Sequence, residues 1–269
     1  MFYFNQIVLA IIQGITEFAP ISSSAHLILA NTFLDLKNNL FMYSIALHSG
    51  TLLATILYFK KDIKKMLMEI VSISIYGKYS EYSLLALELL LATVPVGIFG
   101  LLFKNHVAYM QDTTVVAFCM LLFGILLYLA DYFGKKNIKT INIGFGCSLL
   151  IGLAQSIAII PGVSRSGIVL TAALALGLSR ANAVRFTFLL SIPTVGAASL
   201  YNVYTLNKAL EVVSIEFDYL GLLLGFLVSA LTGYIFINFF IKLLNKFGML
   251  PFAIYRCILG LVLLATITF

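Results

Sequence analysis

The segment Gln13-Gly-Ile-Thr-Glu17-Phe-Ala-Pro20-Ile-Ser22-Ser23-Ser24-Ala-His26 breaks an apolar run covering roughly 6–34. A second segment, Gln155-Ser-Ile-Ala-Ile-Ile-Pro161-Gly162-Val-Ser164-Arg165-Ser166-Gly167, breaks another run at roughly 144–179. A membrane crossing needs about 20 apolar residues, and both runs are too long for one. Each is interrupted near its middle by a proline and a serine cluster. A polar break at membrane depth is tolerated only where protein or a water-filled cavity surrounds it. Each run therefore reads as a re-entrant hairpin: a half-helix in, a polar tip, a half-helix out.

The rest of the 269-residue chain agrees with a membrane setting. It is 61% hydrophobic and 10% charged, with a mean hydropathy of +1.05. Soluble domains carry roughly 45–50% apolar and about 25% charged residues, so in water this chain would leave large apolar surfaces exposed. Three cysteines are too few for a secreted disulfide scaffold, and the apolar content excludes a disordered chain. Cys119, Cys147 and Cys257 stand far apart without CxxC spacing and read as small interior residues. The first residues show neither a basic n-region nor a small-residue cleavage site, so no removable signal peptide is expected. The net charge of +6 does not point to nucleic acid, because its cations cluster between apolar runs.

Simple spans are expected at roughly 41–59, 83–103, 114–133, 184–204, 219–240 and 252–269. If these alternate in direction and each hairpin returns to its own side, thirteen cations gather on one side: Lys60, Lys61, Lys64, Lys65, Lys78, Lys135, Lys136, Lys139, Arg180, Arg185, Lys242, Lys246 and Arg256. Lys37, Lys104 and Lys208 fall on the other, and Arg165 lies in the second tip. The cation-rich side is cytoplasmic. The loops at 60–82 and 134–143 are then inside, and those at 104–113 and 205–218 outside. The first hairpin opens outward and the second inward. The expected fold is an all-α polytopic membrane protein with a single membrane domain over 1–269. It contains two inverted-topology repeats, about 1–140 and 141–269, each with one re-entrant hairpin and three transmembrane helices. The recurrence of glutamine, proline and serines about 140 residues apart, with one gap, supports the repeat. Such folds carry their polar site at the repeat interface.

Ionisable groups inside a bilayer mark function by default. Glu17, His26 and Arg165 are the candidates. Each tip proline fits the first turn of a helix, with serines beside unpaired N–H groups of the kind that bind phosphate. Ser164 and Ser166 add hydroxyl donors, and Arg165 adds a fork that fits phosphate oxygens. Ser22 and Ser23 are within helical reach of His26, and a serine beside an imidazole is an activatable nucleophile. Of the serines Ser23 is preferred, because Ser22 is closer to Pro20 and its hydroxyl can serve as a helix cap, and His26 itself is the third candidate nucleophile. Glu17 can orient the histidine, act as a base, or bind a divalent ion with Gln13 four residues earlier. Each group alone also has a structural reading: serine breaks cap helices, Glu17 pairs with Arg165, and His26 is an interior histidine. Their coincidence on two related tips favours function. His48, beside Ser49-Gly50, is a candidate for the cavity lining. His106 is expected in a solvated outer loop, and Glu88 and Asp131 are expected to snorkel or pair structurally. A transporter or flippase for a prenyl-phosphate lipid is the competing class; it needs a phosphate cradle but no activated nucleophile.

With these residues in place, the chain resembles the BacA-type undecaprenyl-diphosphate phosphatase family. That family's first motif stands here as Gln13, Glu17, Pro20-Ile21-Ser22-Ser23 and His26. Its second, Pro-Gly-x-Ser-Arg-Ser-x-x-Thr, stands as Pro161-Gly162-Val163-Ser164-Arg165-Ser166, with Val169 in place of the threonine. Leu47-His-Ser-Gly-Thr-Leu-Leu-Ala54, Leu176-Gly-Leu-Ser-Arg180 and Phe188-Leu-Leu-Ser-Ile-Pro193 are also similar to family sequence. The resemblance implies hydrolysis of undecaprenyl diphosphate to undecaprenyl phosphate and phosphate. This recycles the lipid carrier for peptidoglycan synthesis and confers bacitracin resistance. It implies catalytic roles for Glu17, Ser22, Ser23, His26 and Arg165, and phosphate binding by Gly162, Ser164, Arg165 and Ser166. It also implies a divalent cation, Mg2+ or Ca2+, for which Glu17 and Gln13 are the candidate ligands. The expected setting is the bacterial inner membrane, with the active site facing the periplasm. The expected partners are the lipid substrate and membrane lipids, with a homodimer left open and no nucleic acid. Gln13 cannot supply a second carboxylate, Val169 removes a hydroxyl from the motif face, and Thr171 should point elsewhere.

Overall fold

The computed structural model describes residues 2–34, 40–104, 106, 110, 112–135, 137–211 and 218–268. Among them the chain forms eleven α-helices: α1 (Phe2–Thr16), α2 (Ser23–Leu34), α3 (Leu40–Tyr58), α4 (Lys60–Tyr76), α5 (Glu81–Phe103), α6 (Thr113–Phe133), α7 (Phe145–Ser156), α8 (Arg165–Ala175), α9 (Arg180–Leu210), α10 (Tyr219–Phe247) and α11 (Leu250–Thr268). The helices α3, α5, α6, α9 and α10 each contain a stretch long and apolar enough to cross a membrane. α11, expected as a sixth span, has a shorter apolar part, Leu250–Thr266. Each of the two broken runs is a pair of short helices, α1–α2 and α7–α8, joined through a polar turn.

Local chemistry explains where the helices begin. Asp112 accepts from the Thr114 amide at 2.8 Å and Asp218 from the Gly221 amide at 3.0 Å, satisfying first-turn donors that lack a helical partner. The start of α7 is capped from another helix: Glu88 of α5 accepts from the Ile143 and Gly144 amides at 3.2 and 2.9 Å. The cation-bearing connections meet at one end of the molecule. Arg180 forks onto Asp131 at 2.6 and 2.8 Å, and Asp131 also accepts from the Met249 amide at 3.0 Å. Arg185 pairs with Asp62, and Asn182 donates to the Lys139 carbonyl. Elsewhere, Gln6 donates to Asp218 at 2.9 Å and Tyr43 to the Gly221 carbonyl, tying α1 and α3 to the start of α10. Glu88 and Asp131 thus both serve in structural pairs.

The helices interlock. α10 packs along α3 and α1, α5 packs along α7 and α9, α3 also meets α9, and α6 pairs with α11 and α8. At the centre Phe188 meets Phe18 edge-on and Phe240 at a tilt, with ring centroids 5.3 and 5.8 Å apart.

The structure corrects two expectations. The connection at 60–82 contains α4: Ile63, Met66 and Ile70 recur at helical spacing and pack on the core, while Lys60, Lys61, Lys64 and Lys65 are exposed. Arg256, grouped with the cytoplasmic cations, is wholly buried inside the protein, so that group shrinks to twelve. Lys37 and Lys136 lie outside the described residues.

Candidate functional site

Both tips are built on the same local backbone. Ser22 and Ser164 are the non-glycine residues with positive φ among those described, at 73° and 71°. This left-handed region is strained for a residue with a side chain. Each serine offsets the strain by capping the helix that follows. Ser22 Oγ accepts from the Ala25 amide at 3.4 Å and lies 3.1 Å from Ser24 Oγ. Ser164 Oγ accepts from the Gly167 amide at 3.1 Å and lies 3.2 Å from Ser166 Oγ. The prolines therefore do not open the helices, contrary to expectation. Pro20 and Pro161 lie in the turns, and α2 and α8 begin only after the capping serines. The pairs Gln13/Gln155, Ser22/Ser164 and Ser24/Ser166 keep one constant separation without a gap, and only the prolines are displaced.

The tips meet at Glu17, which is buried. Arg165 Nη2 donates to Glu17 Oε1 at 2.7 Å, joining the second tip to the first. Ser23 Oγ donates to Glu17 Oε2 at 2.8 Å, and Gln13 Nε2 donates to the same oxygen at 3.0 Å. His48 Nε2 lies 3.7 Å from it, with His48 Nδ1 held 2.8 Å from the Ser44 carbonyl oxygen. Arg165 Nη1 and Gln13 Oε1 are buried and have no hydrogen-bond partner among the described residues. A cavity of about 280 Å³ opens over this cluster, lined by Glu17, Ser22, Ser23, His48, Ser164 and Arg165. A hydroxyl on a carboxylate, beside a guanidinium with a free donor, is an arrangement for attack on a phosphoryl group.

The remaining residues take other places. His26 Nδ1 lies 2.8 Å from the Ser22 carbonyl oxygen, and Nε2 lies 2.6 Å from the Tyr255 hydroxyl, on which the ring stacks. It is not among the cavity-lining residues; the histidine facing Glu17 is His48. Ser166 donates to the Ala19 carbonyl at 3.1 Å, a second tie between the tips. Gly162 has φ 92°, and a Cβ there would come within 2.6 Å of the Val116 carbonyl oxygen, so this close approach to α6 requires glycine. Val169 is buried in the core, and Thr171 donates to the Gly167 carbonyl of its own helix.

Sequence reasoning missed Arg256. Its guanidinium donates to Pro20 O at 3.1 Å, Gly162 O at 2.8 Å, Cys119 O at 3.2 Å and Met120 O at 3.3 Å. One side chain from α11 thus holds a backbone carbonyl of each tip and two of α6. The available signal was a lone arginine several residues inside an apolar helix.

The family model for bacitracin resistance protein BacA matches residues 6–262. The chain belongs to this family. Its match spans both tips and the Arg256 clamp. The chain is 45% identical over 266 residues to the undecaprenyl-diphosphatase of Saccharophagus degradans, covering 98% of each chain. It is 43% identical to the proteins of the same name from Alcanivorax borkumensis, with 98% of each chain covered, and Teredinibacter turnerae, with 96% covered. The paired tips found by geometry are therefore those of a BacA-family protein.

Proposed function

We propose that this chain is a membrane phosphatase that removes the terminal phosphate of undecaprenyl diphosphate, returning undecaprenyl phosphate to envelope synthesis and raising tolerance of bacitracin. Family membership and the relatives' shared name support the activity. The observation that carries the chemistry is the Ser23–Glu17–Arg165 chain across the two tips.

In this reading Ser23 Oγ attacks the terminal phosphorus while Glu17 Oε2 takes its proton. The bond to the bridging oxygen breaks, and its electron pair leaves on undecaprenyl phosphate. Arg165 Nη1, buried and without a hydrogen-bond partner among the described residues, binds the equatorial oxygens, where charge builds in the transition state. Glu17 gives the proton taken from Ser23 up to the departing lipid phosphate; water then attacks the phosphoserine as Glu17 takes its proton, and Glu17 returns this proton to Ser23 Oγ as phosphate leaves. Ser22 and Ser164 hold the caps that shape the tips. His48 faces the same carboxylate, and His26 fixes the start of α2 against Tyr255.

A divalent cation belongs to the proposal. Glu17 offers one carboxylate and Gln13 Oε1 one buried, unpartnered carbonyl oxygen, and no cluster of three or more His, Cys, Asp or Glu occurs among the described residues. Such a set suits a hard ion that keeps waters and shares the substrate's phosphates, as Mg2+ does. When bound, it would offset phosphate charge.

The two helix pairs are read as re-entrant hairpins of an inverted repeat. The exchange of α10 and α5 between halves and the matched tip backbones support this. In a bacterial inner membrane the first hairpin opens to the periplasm, and the site faces that way. Phosphate release from purified protein and undecaprenyl diphosphate, with and without EDTA, tests the proposal. Release by wild type but not by Glu17→Gln is expected; equal release by both would remove Glu17 from the chemistry. No release by wild type would leave a carrier protein with a phosphate cradle.

A further inference from the structure

Beside the tip cavity lies a larger apolar groove, about 440 Å³, between α5 and α9. Gly97 and Gly100 line it from α5, and Ala197 and Ala198 from α9. Thr194, Ala198 and Asn202 border both the groove and the tip cavity, so the two are continuous. The polar side chains at the junction are partly spent: Thr194 donates to the Leu190 carbonyl of its own helix. One space is therefore polar and headed by Arg165, and the next is apolar. A molecule with a charged head and a hydrocarbon tail can lie across both.

The glycines carry a second, independent observation. At several helix crossings glycine permits close packing, although Gly146 stands as open as the groove glycines and Gly196 nearly so. A Cβ at Gly14, Gly152 or Gly233 would meet neighbouring atoms at 2.7, 2.5 or 2.8 Å. A Cβ at Gly97 or Gly100 would meet nothing within 4 Å. No neighbour needs these two positions to be small. Their effect is to leave room beside α5, along the wall of the groove.

We infer that the α5–α9 groove receives the first isoprene units of the prenyl diphosphate, setting the preference for long-chain substrates. This rests on the phosphatase reading for its head group. The rest of the chain runs from the groove into the bilayer.

The test compares undecaprenyl diphosphate with isopentenyl diphosphate, whose single isoprene unit reaches only the start of the groove. Gly97→Leu introduces a side chain into open space, so it should fold, and it fills the groove. The ratio of kcat/KM for the long over the short substrate should fall about tenfold or more, the scale at which an apolar pocket distinguishes small volume changes. Ile98→Phe, on the same helix but half-exposed and outside the groove lining, should leave both rates unchanged. Equal losses on both substrates in Gly97→Leu, or an unchanged ratio, would overturn the inference. A prenyl diphosphate carrying a diazirine near its first isoprene unit gives a readout independent of turnover. Crosslinks should map to residues 97–101 of α5 and 197–201 of α9; crosslinks confined to other helices would overturn the inference. If wild type releases phosphate from neither substrate, the phosphatase reading falls while the crosslink map still decides the groove.

Discussion

Ser23 and Ser22 are neighbours with opposite prospects. Ser23 gives its hydroxyl to Glu17, while Ser22 spends its own on the cap of α2. Ser23→Ala should lower phosphate release about 10³-fold or more. Ser22→Ala should retain most activity and lose about 1 kcal/mol of stability. Comparable losses in both would return the nucleophile to an open choice. Arg165→Lys keeps the charge but not the fork that serves Glu17 and phosphate together, so its rate should fall about 10²–10³-fold; full activity would reduce Arg165 to a counter-ion. Arg256→Met leaves four buried carbonyl acceptors without this donor and should cost about 3 kcal/mol, read from thermal unfolding in detergent. Glu17, Ser23 and Arg165 were legible from sequence because a charge at membrane depth needs a reason and each lies beside a proline–serine break. The histidines were legible only in part: His48 was expected at the cavity and lines it, but its approach to Glu17 was not foreseen. Spacing arguments place Ser22 on the helix of His26, but the left-handed φ at Ser22 starts that helix one residue later and ties His26 to the Ser22 carbonyl instead of its hydroxyl. His48 faces Glu17 from a helix with no local signal linking it to the tip.

At the scale of elements, the long apolar helices were legible because about 20 apolar residues between cation clusters have few other readings. The exact helix starts were not, because they depend on caps supplied from a distance. Glu88 is the clearest case: its carboxylate lies in α5 and closes the first turn of α7. Glu88→Ala removes two charge-assisted hydrogen bonds and should cost about 2 kcal/mol. That corresponds to a Tm lower by about 4–8 °C for a chain of this size. Catalytic constants of the folded fraction should be unchanged; a loss of kcat with no change in Tm would instead give Glu88 a part in the reaction. α4 was missed because four lysines in its first two turns read as a polar connection, while the apolar spacing of Ile63, Met66 and Ile70 was present but short.

At the scale of the molecule, the cation split is the ground for the proposed orientation. Single cysteines at Lys139 and Lys208, in a background lacking Cys119, Cys147 and Cys257, give the direct test. An impermeant thiol reagent applied to intact cells should label the Lys208 site and spare the Lys139 site; the reverse would invert the topology. The pairing of the tips also has a consequence during synthesis. Glu17 and Arg165 are 148 positions apart. At about 5–20 residues per second, the ribosome delivers Arg165 some 7–30 s after Glu17. Through that interval α1–α2 also lacks α10, the helix it packs against, so a carboxylate waits in the membrane with no guanidinium to meet it. The newborn first half is thus the vulnerable species, and its survival depends on how quickly the second half arrives. A fragment ending at residue 140 should be degraded faster than the full chain, and Glu17→Gln should lengthen the fragment's half-life while inactivating the whole protein. The same carboxylate that equips the finished enzyme would then be the main liability of the unfinished one.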